Sequence, residues 1–128
     1  MDTISFDDFT KVDIRKGTVQ TAEAVPKSKK LLKLTVSFGP EIGTRTILAG
    51  IAQAKAYGEV VTEGIDHDQS GWKDSALIGA SILAVINLAP RSMFGIESHG
   101  MLLAGHDADN GIWLATIPPL VPDGTQIG

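Results

Sequence analysis

The sequence predicts an all-β domain, built as a small barrel or a sandwich, and three observations carry that expectation. Isoleucine, valine and threonine number 13, 8 and 10 among 128 residues, and β-branched side chains fit the pleated surface of a strand. Leu32, Leu34, Val36 and Phe38 alternate with Lys33, Thr35 and Ser37, the period of a strand with one buried face. Helical periodicity is scarce, so five or six short strands must supply the core. The chain fits one domain, residues 1–128, and can bury about two thirds of its unfolded surface.

Each element has its own local reason. Ser5 stands three residues before Asp8, an N-cap pattern with negative charge where a helix N-terminus favours it. A short N-terminal helix is expected there, with Phe6 and Phe9 on one face. A strand over 12–24 follows, with Gly17 as a bulge or bend. The alternating run 32–38 is the second strand and 44–51 the third, and a second short helix is expected near 51–57. Residues 58–80 combine Gly58, Gly64, Gly71 and Gly79 with five acids. They predict an exposed, partly mobile acidic loop that elongates the connection between the third and fourth strands. Ile65 and Trp72 are its candidates for pinning that loop to the barrel or to a second subunit. Further strands are expected at 81–88, 101–105 and 112–117.

Composition excludes several function classes. Cysteine is absent, which removes disulfides, thiolate metal sites, iron–sulfur clusters and a cysteine nucleophile. No apolar run approaches the ~20 residues of a membrane helix. The acidic start Met1-Asp-Thr-Ile-Ser-Phe-Asp-Asp8 lacks the basic and apolar regions of a signal peptide. A soluble, cytoplasmic protein with no membrane partner is expected. The net charge of −4 is unevenly spread: residues 1–50 carry eight Lys/Arg against six Asp/Glu, and 51–128 carry three against nine. The stretch 59–74 by itself sums to −4, so the rest is neutral and has room for a local basic patch, the feature a ligand meets.

Enzyme chemistry finds little support. Ile96-Glu-Ser-His-Gly100 has Ile where a nucleophile elbow needs its first Gly, and no strand-elbow-helix context follows. Ser98 and His99 are adjacent, so in extended chain they point to opposite sides. His67, lying between Asp66 and Asp68, and His106, ahead of Asp107 and Asp109, match neither a zinc helix nor a calcium loop. No phosphate-cradling glycine pattern is present. A non-catalytic protein without cofactor or metal is expected.

Two segments point to nucleic acid. Lys27, Lys29, Lys30 and Lys33 fall within seven residues without an acid, in the loop between the first two strands and on the outer face of the second. Asn87-Leu-Ala-Pro-Arg-Ser-Met-Phe-Gly-Ile-Glu-Ser-His-Gly-Met101 places Arg91 beside Met93 and Phe94 in a loop between the fourth and fifth strands. A five-stranded OB-fold (oligonucleotide/oligosaccharide-binding) Greek-key barrel would bring both segments to one ligand face. Lysines neutralise phosphates without strict geometry, and Arg91 can fork onto a phosphate or a base edge. Of seven aromatics only Phe94 falls on this face. Long single strands need several stacking rings, so a folded RNA is the better ligand.

Phe6-Asp-Asp-Phe-Thr-Lys-Val-Asp-Ile-Arg-Lys-Gly17, Lys29-Lys-Leu-Leu-Lys-Leu34, Ile47-Leu-Ala-Gly-Ile51 and Asn87 through Ala104 occur in that order. Together they resemble the tRNA-binding domain family, which includes the C-terminal appendage (beta subunit) of methionyl-tRNA synthetases and small dimeric tRNA-binding proteins. The resemblance implies an OB barrel, a homodimer, and tRNA rather than DNA as partner, in support of an aminoacyl-tRNA synthetase. It implies RNA-binding roles for the lysines of 27–33, Asn87, Arg91, Met93, Ser98 and Met101. Asn87 and Ser98 equally suit a second role, fixing loop shape through side-chain hydrogen bonds. Val121 to Gly128 and Phe38 to Gly43 are similar to a neighbouring branch, the CsaA-type export chaperones. That branch implies peptide binding on the same fold, with Met93 and Phe94 as an apolar surface. His99 departs from the Gln or other polar residue frequent in the family, and the acidic stretch is a second departure.

Overall fold

Ser5 opens the first element: its hydroxyl accepts the Asp8 N–H at 3.0 Å and caps helix α1, Phe6–Thr10. The computed structural model describes residues 1–52, 77–108 and 111–128. No side chain of α1 is buried, Phe6 and Phe9 included. Strands β1 (Ile14–Ala24) and β2 (Leu32–Ser37) come next, then one helical turn, α2 (Gly39–Ile42), and β3 (Thr44–Ala49). The rest is β4 (Ser81–Val85), β5 (Arg91–Met93), β6 (Ile96–Ser98), β7 (Met101–Leu102), β8 (Ala104–His106), β9 (Ile112–Leu114) and β10 (Gln126–Ile127).

The main sheet runs β3-β2-β1-β4-β7, with β10 on β1. Three strands joined in sequence, with the fourth returning beside the first, make a Greek key. β3 also packs against β6 and β7, so the antiparallel sheet curls into a nearly closed five-stranded OB barrel of β1–β4 and β7. The alternation in β2 does what its pattern predicts: Leu32, Leu34 and Val36 are buried and Lys33, Thr35 and Ser37 are half-buried. Val19, Phe38, Ile47, Leu77, Ile82 and Leu114 join them in the core.

Gly17 is not the expected bulge. It pairs with Ile82 in regular register, and the irregularity lies between Val19 and Thr21. There the β4 pairing of β1 has ended and only the β2 pairing continues, and an extra residue supplies the bend. Gly17 is required for another reason: a Cβ at this position would lie 2.6 Å from Val36 Cγ1 and 2.8 Å from Phe38 Cε1.

The expected strands shorten at their ends, and 101–105 divides into β7 and β8. Arg91–Ser98 is a β-hairpin where a loop was expected. Of the stretch 51–80, residues 53–76 lie outside the described residues, and with them most of the expected second helix, the five acids, Ile65, Trp72 and His67. Its last four residues are not an exposed loop throughout, because Leu77 and Ala80 are core residues. The N–H of Gly79 and the carbonyl of Ala80 bond the backbone of Val19. No helix among the described residues is long and apolar enough to cross a membrane.

Candidate nucleic-acid interface

The lysine loop is held by backbone geometry. Ser28 N–H donates to Val25 O at 3.0 Å, and Pro26 and Lys27 are the central residues of that turn. Lys27 takes a φ of 71°, the left-handed third position of a type II turn. Ser28 Oγ accepts the N–H groups of Lys30 and Leu31 at 3.3 and 3.1 Å, and Ala52 N–H bonds Lys30 O at 3.0 Å. The loop is thereby tied to the chain just after β3, with Lys27, Lys29 and Lys30 exposed and Lys33 half-buried.

The arginine segment is the β5–β6 hairpin. Arg91 pairs with Ser98 and Met93 with Ile96 across a two-residue turn, Phe94–Gly95, with φ of 52° and 76°, as a type I′ turn requires. Ser98 is 5% exposed, and its hydroxyl accepts the N–H of Leu48 at 3.0 Å and donates to Gly100 O at 3.2 Å. His99 N–H adds a bond to Thr46 O at 2.9 Å. These bonds seat β6 beside β3.

The register now joins the two segments. Lys33 lies between Glu23 of β1 and Leu48 of β3, Leu48 is held by Ser98, and Ser98 stands opposite Arg91. One row, Lys33–Leu48–Ser98–Arg91, crosses β2, β3, β6 and β5. Glu23 flanks its end and offsets part of one lysine's charge. Among the described residues none of Lys27, Lys29, Lys30, Lys33 and Arg91 forms an ion pair. Unpaired cations at both ends of this row and in the lysine loop, beside a seated hairpin, can bind an anionic backbone and leave base edges within reach of an arginine fork.

The remaining expected residues divide. Phe94 is 57% and Met101 49% exposed, whereas Met93 is half-buried. Asn87 is committed to the chain: Oδ1 accepts the Asp13 N–H at 2.8 Å and Nδ2 donates to Lys11 O. Asn87 and Ser98 thus fix shape, Asn87 for the approach of α1 and Ser98 for the hairpin. Glu23 and Leu48 on this face had no signal in the sequence, and neither had Arg45, which by strand alternation lies on the other face of β3 with Ile47 and whose Nη1 donates to Ile86 O at 2.6 Å. Strand periodicity locates their faces, and only the register supplies their neighbours. Glu97 Oε1 and His99 Nε2 lie 2.9 Å apart, and no three acids or histidines among the described residues come together as a metal site.

The family model described as "Putative tRNA binding domain" matches residues 68–126. The methionine–tRNA ligase of Methanococcoides burtonii is 46% identical over 114 residues, 88% of this chain, and the chain spans 14% of that ligase's length. The MetRS-related protein from Pyrococcus horikoshii superposes with a TM-score of 0.76 and 30% identity, over the whole of both chains. The CsaA chaperone from Picrophilus torridus superposes with a TM-score of 0.77 and 27% identity, covering 98% of this chain and all of that one.

Proposed function

This chain belongs to the tRNA-binding domain family, and from that premise we propose that it is a non-catalytic, structure-directed tRNA-binding module. It acts in the cytoplasm as a single domain over residues 1–128, contacts the folded outside of tRNA, and assists a methionine–tRNA ligase or another aminoacylation partner in trans. The observation that carries the reading is the row from Lys33 to Arg91, which links an unpaired lysine loop to a firmly seated hairpin. Lys27, Lys29, Lys30, Lys33 and Arg91 meet phosphates; Met93, Phe94 and Met101 offer apolar contact; Asn87 and Ser98 hold the frame. We propose a homodimer as well: Ile4, Phe6, Phe9, Val12 and Leu88 each leave apolar surface exposed, which association with a second copy would cover.

The second reading is a CsaA-type peptide-binding chaperone, favoured by the likeness to the CsaA chaperone and by the exposure of Phe94 and Met101. A gel shift against mixed tRNA, duplex DNA and an unfolded polypeptide tests both. Selective tRNA retention is the expected result. Polypeptide capture without tRNA retention would replace the first reading with the second.

A further inference from the structure

Among the described residues two that are not glycine hold a positive φ, Lys27 at 71° and Phe94 at 52°. A left-handed backbone drives Cβ against a carbonyl oxygen, and only Gly, with Asn and Asp behind it, adopts it readily. Both turns therefore carry a residue that folding would not select. A hairpin turn such as Phe94–Gly95 favours Asn-Gly, and the turn at Val25–Ser28 favours Gly in third place. Neither side chain recovers the strain inside the protein: more than half of Phe94 faces solvent, and Lys27 is exposed and has no ion pair. Strained backbone of this kind persists where its conformation serves a ligand. The two positions are also not scattered, since each is the tip of one of the two segments that the Lys33–Leu48–Ser98–Arg91 row joins.

Resting on the tRNA-binding reading, we infer that Lys27 and Phe94 are held in left-handed turns to meet the RNA, Phe94 presenting its ring to an unpaired base and Lys27 its ammonium to a backbone phosphate. The ligand class is then a folded RNA with at least one splayed base. A continuous A-form stem keeps its bases stacked and offers Phe94 no face. A single ring suits a single base, whereas an extended single strand needs a series of them.

The test replaces each residue with one its turn prefers, Phe94→Asn and Lys27→Gly. Both variants should unfold at higher urea concentration than the parent, because the backbone is relieved. Phe94→Asn should weaken tRNA binding about tenfold, as loss of one base–aromatic stack does, and leave binding to a fully paired RNA duplex unchanged. Lys27→Gly should reduce the salt dependence by about one phosphate contact, and Phe94→Trp should keep tRNA affinity. Unchanged tRNA binding by Phe94→Asn, or a lower unfolding midpoint, would overturn the inference while a tRNA-binding parent leaves the functional reading standing. Loss of unfolded-polypeptide binding in place of tRNA binding would overturn it as well. A parent that retains no tRNA would overturn the functional reading, and this inference with it.

Discussion

Lys16 Nζ lies 2.7 Å from Asp123 Oδ1, and the lysine is 2% exposed. The ammonium also donates to Thr18 Oγ1 at 3.0 Å and Pro119 O at 3.4 Å, and Thr18 Oγ1 donates to the same carboxylate at 2.6 Å. Backbone bonds reinforce the contact, Gly124 N–H to Lys16 O at 2.8 Å and Lys16 N–H to Thr125 O at 3.0 Å. The pair therefore ties the C-terminal segment to β1. Removing the carboxylate leaves a buried charge without its partner, which is strongly destabilising. Asp123→Asn should lower unfolding stability by about 3 kcal/mol, measured by urea denaturation at neutral pH. Lys16→Met should cost less, since an apolar chain fills the same space without a charge.

The same pair predicts a pH dependence. Burial pushes the Asp123 carboxyl up, but the hydrogen bonds from Lys16, Thr18 and Ser37 and the Lys16 charge outweigh it and hold it below its ordinary value. A depressed folded-state pKa contributes stability that is present above the unfolded value, about 3.9, and lost as pH falls through the folded one. The stability gap between the parent and Asp123→Asn should be constant near neutrality and narrow below about pH 4. A gap that widens in acid would contradict this assignment.

Ser98→Ala removes the acceptor of the buried Leu48 N–H. An unsatisfied buried donor costs about 1–3 kcal/mol, and the hairpin loses its seat on β3. Stability and tRNA affinity should fall together, with exchange of the Leu48 amide proton accelerated.

At Gly17 a methyl group meets Val36 and Phe38 inside contact distance. Gly17→Ala should cost about 1–3 kcal/mol by overpacking, with the circular dichroism of the folded state retained. Were this glycine merely permissive at a bend, Ala would be tolerated.

Replacing Lys27, Lys29, Lys30 and Lys33 with Ala should flatten the salt dependence of tRNA binding. Four phosphate contacts imply a log–log slope of about −3 to −4. An unchanged slope in a folded variant would remove the loop from the interface.

Arg91 is exposed and has no ion pair among the described residues. Arg91→Lys keeps the charge and loses the fork, so binding should weaken by about 1–3 kcal/mol. Equal affinity would reduce Arg91 to a point charge.

The sequence by itself determined whatever depends on local period and local chemistry. The alternation of Leu32 to Phe38 set the buried face of β2, Ser5 and Asp8 marked the start of α1, and the motif from Asn87 to Ala104 named the family. Tertiary structure decided everything that needs a partner distant in the chain. For Asn87 and Ser98 the sequence leaves RNA contact and loop-fixing hydrogen bonds equally open, and the bonds themselves appear only once Asp13 and Lys11 face Asn87 and the Leu48 N–H donates to Ser98. Lys16 reads as one more exposed cation until the C-terminal segment brings Asp123 beside it. Gly17 reads as a bend until Val36 and Phe38 close over it. A strand's pattern is written in its own side chains because successive Cβ atoms alternate between faces. Which strand lies beside it, and in what register, is settled by packing and hydrogen-bond satisfaction between segments that no local pattern records.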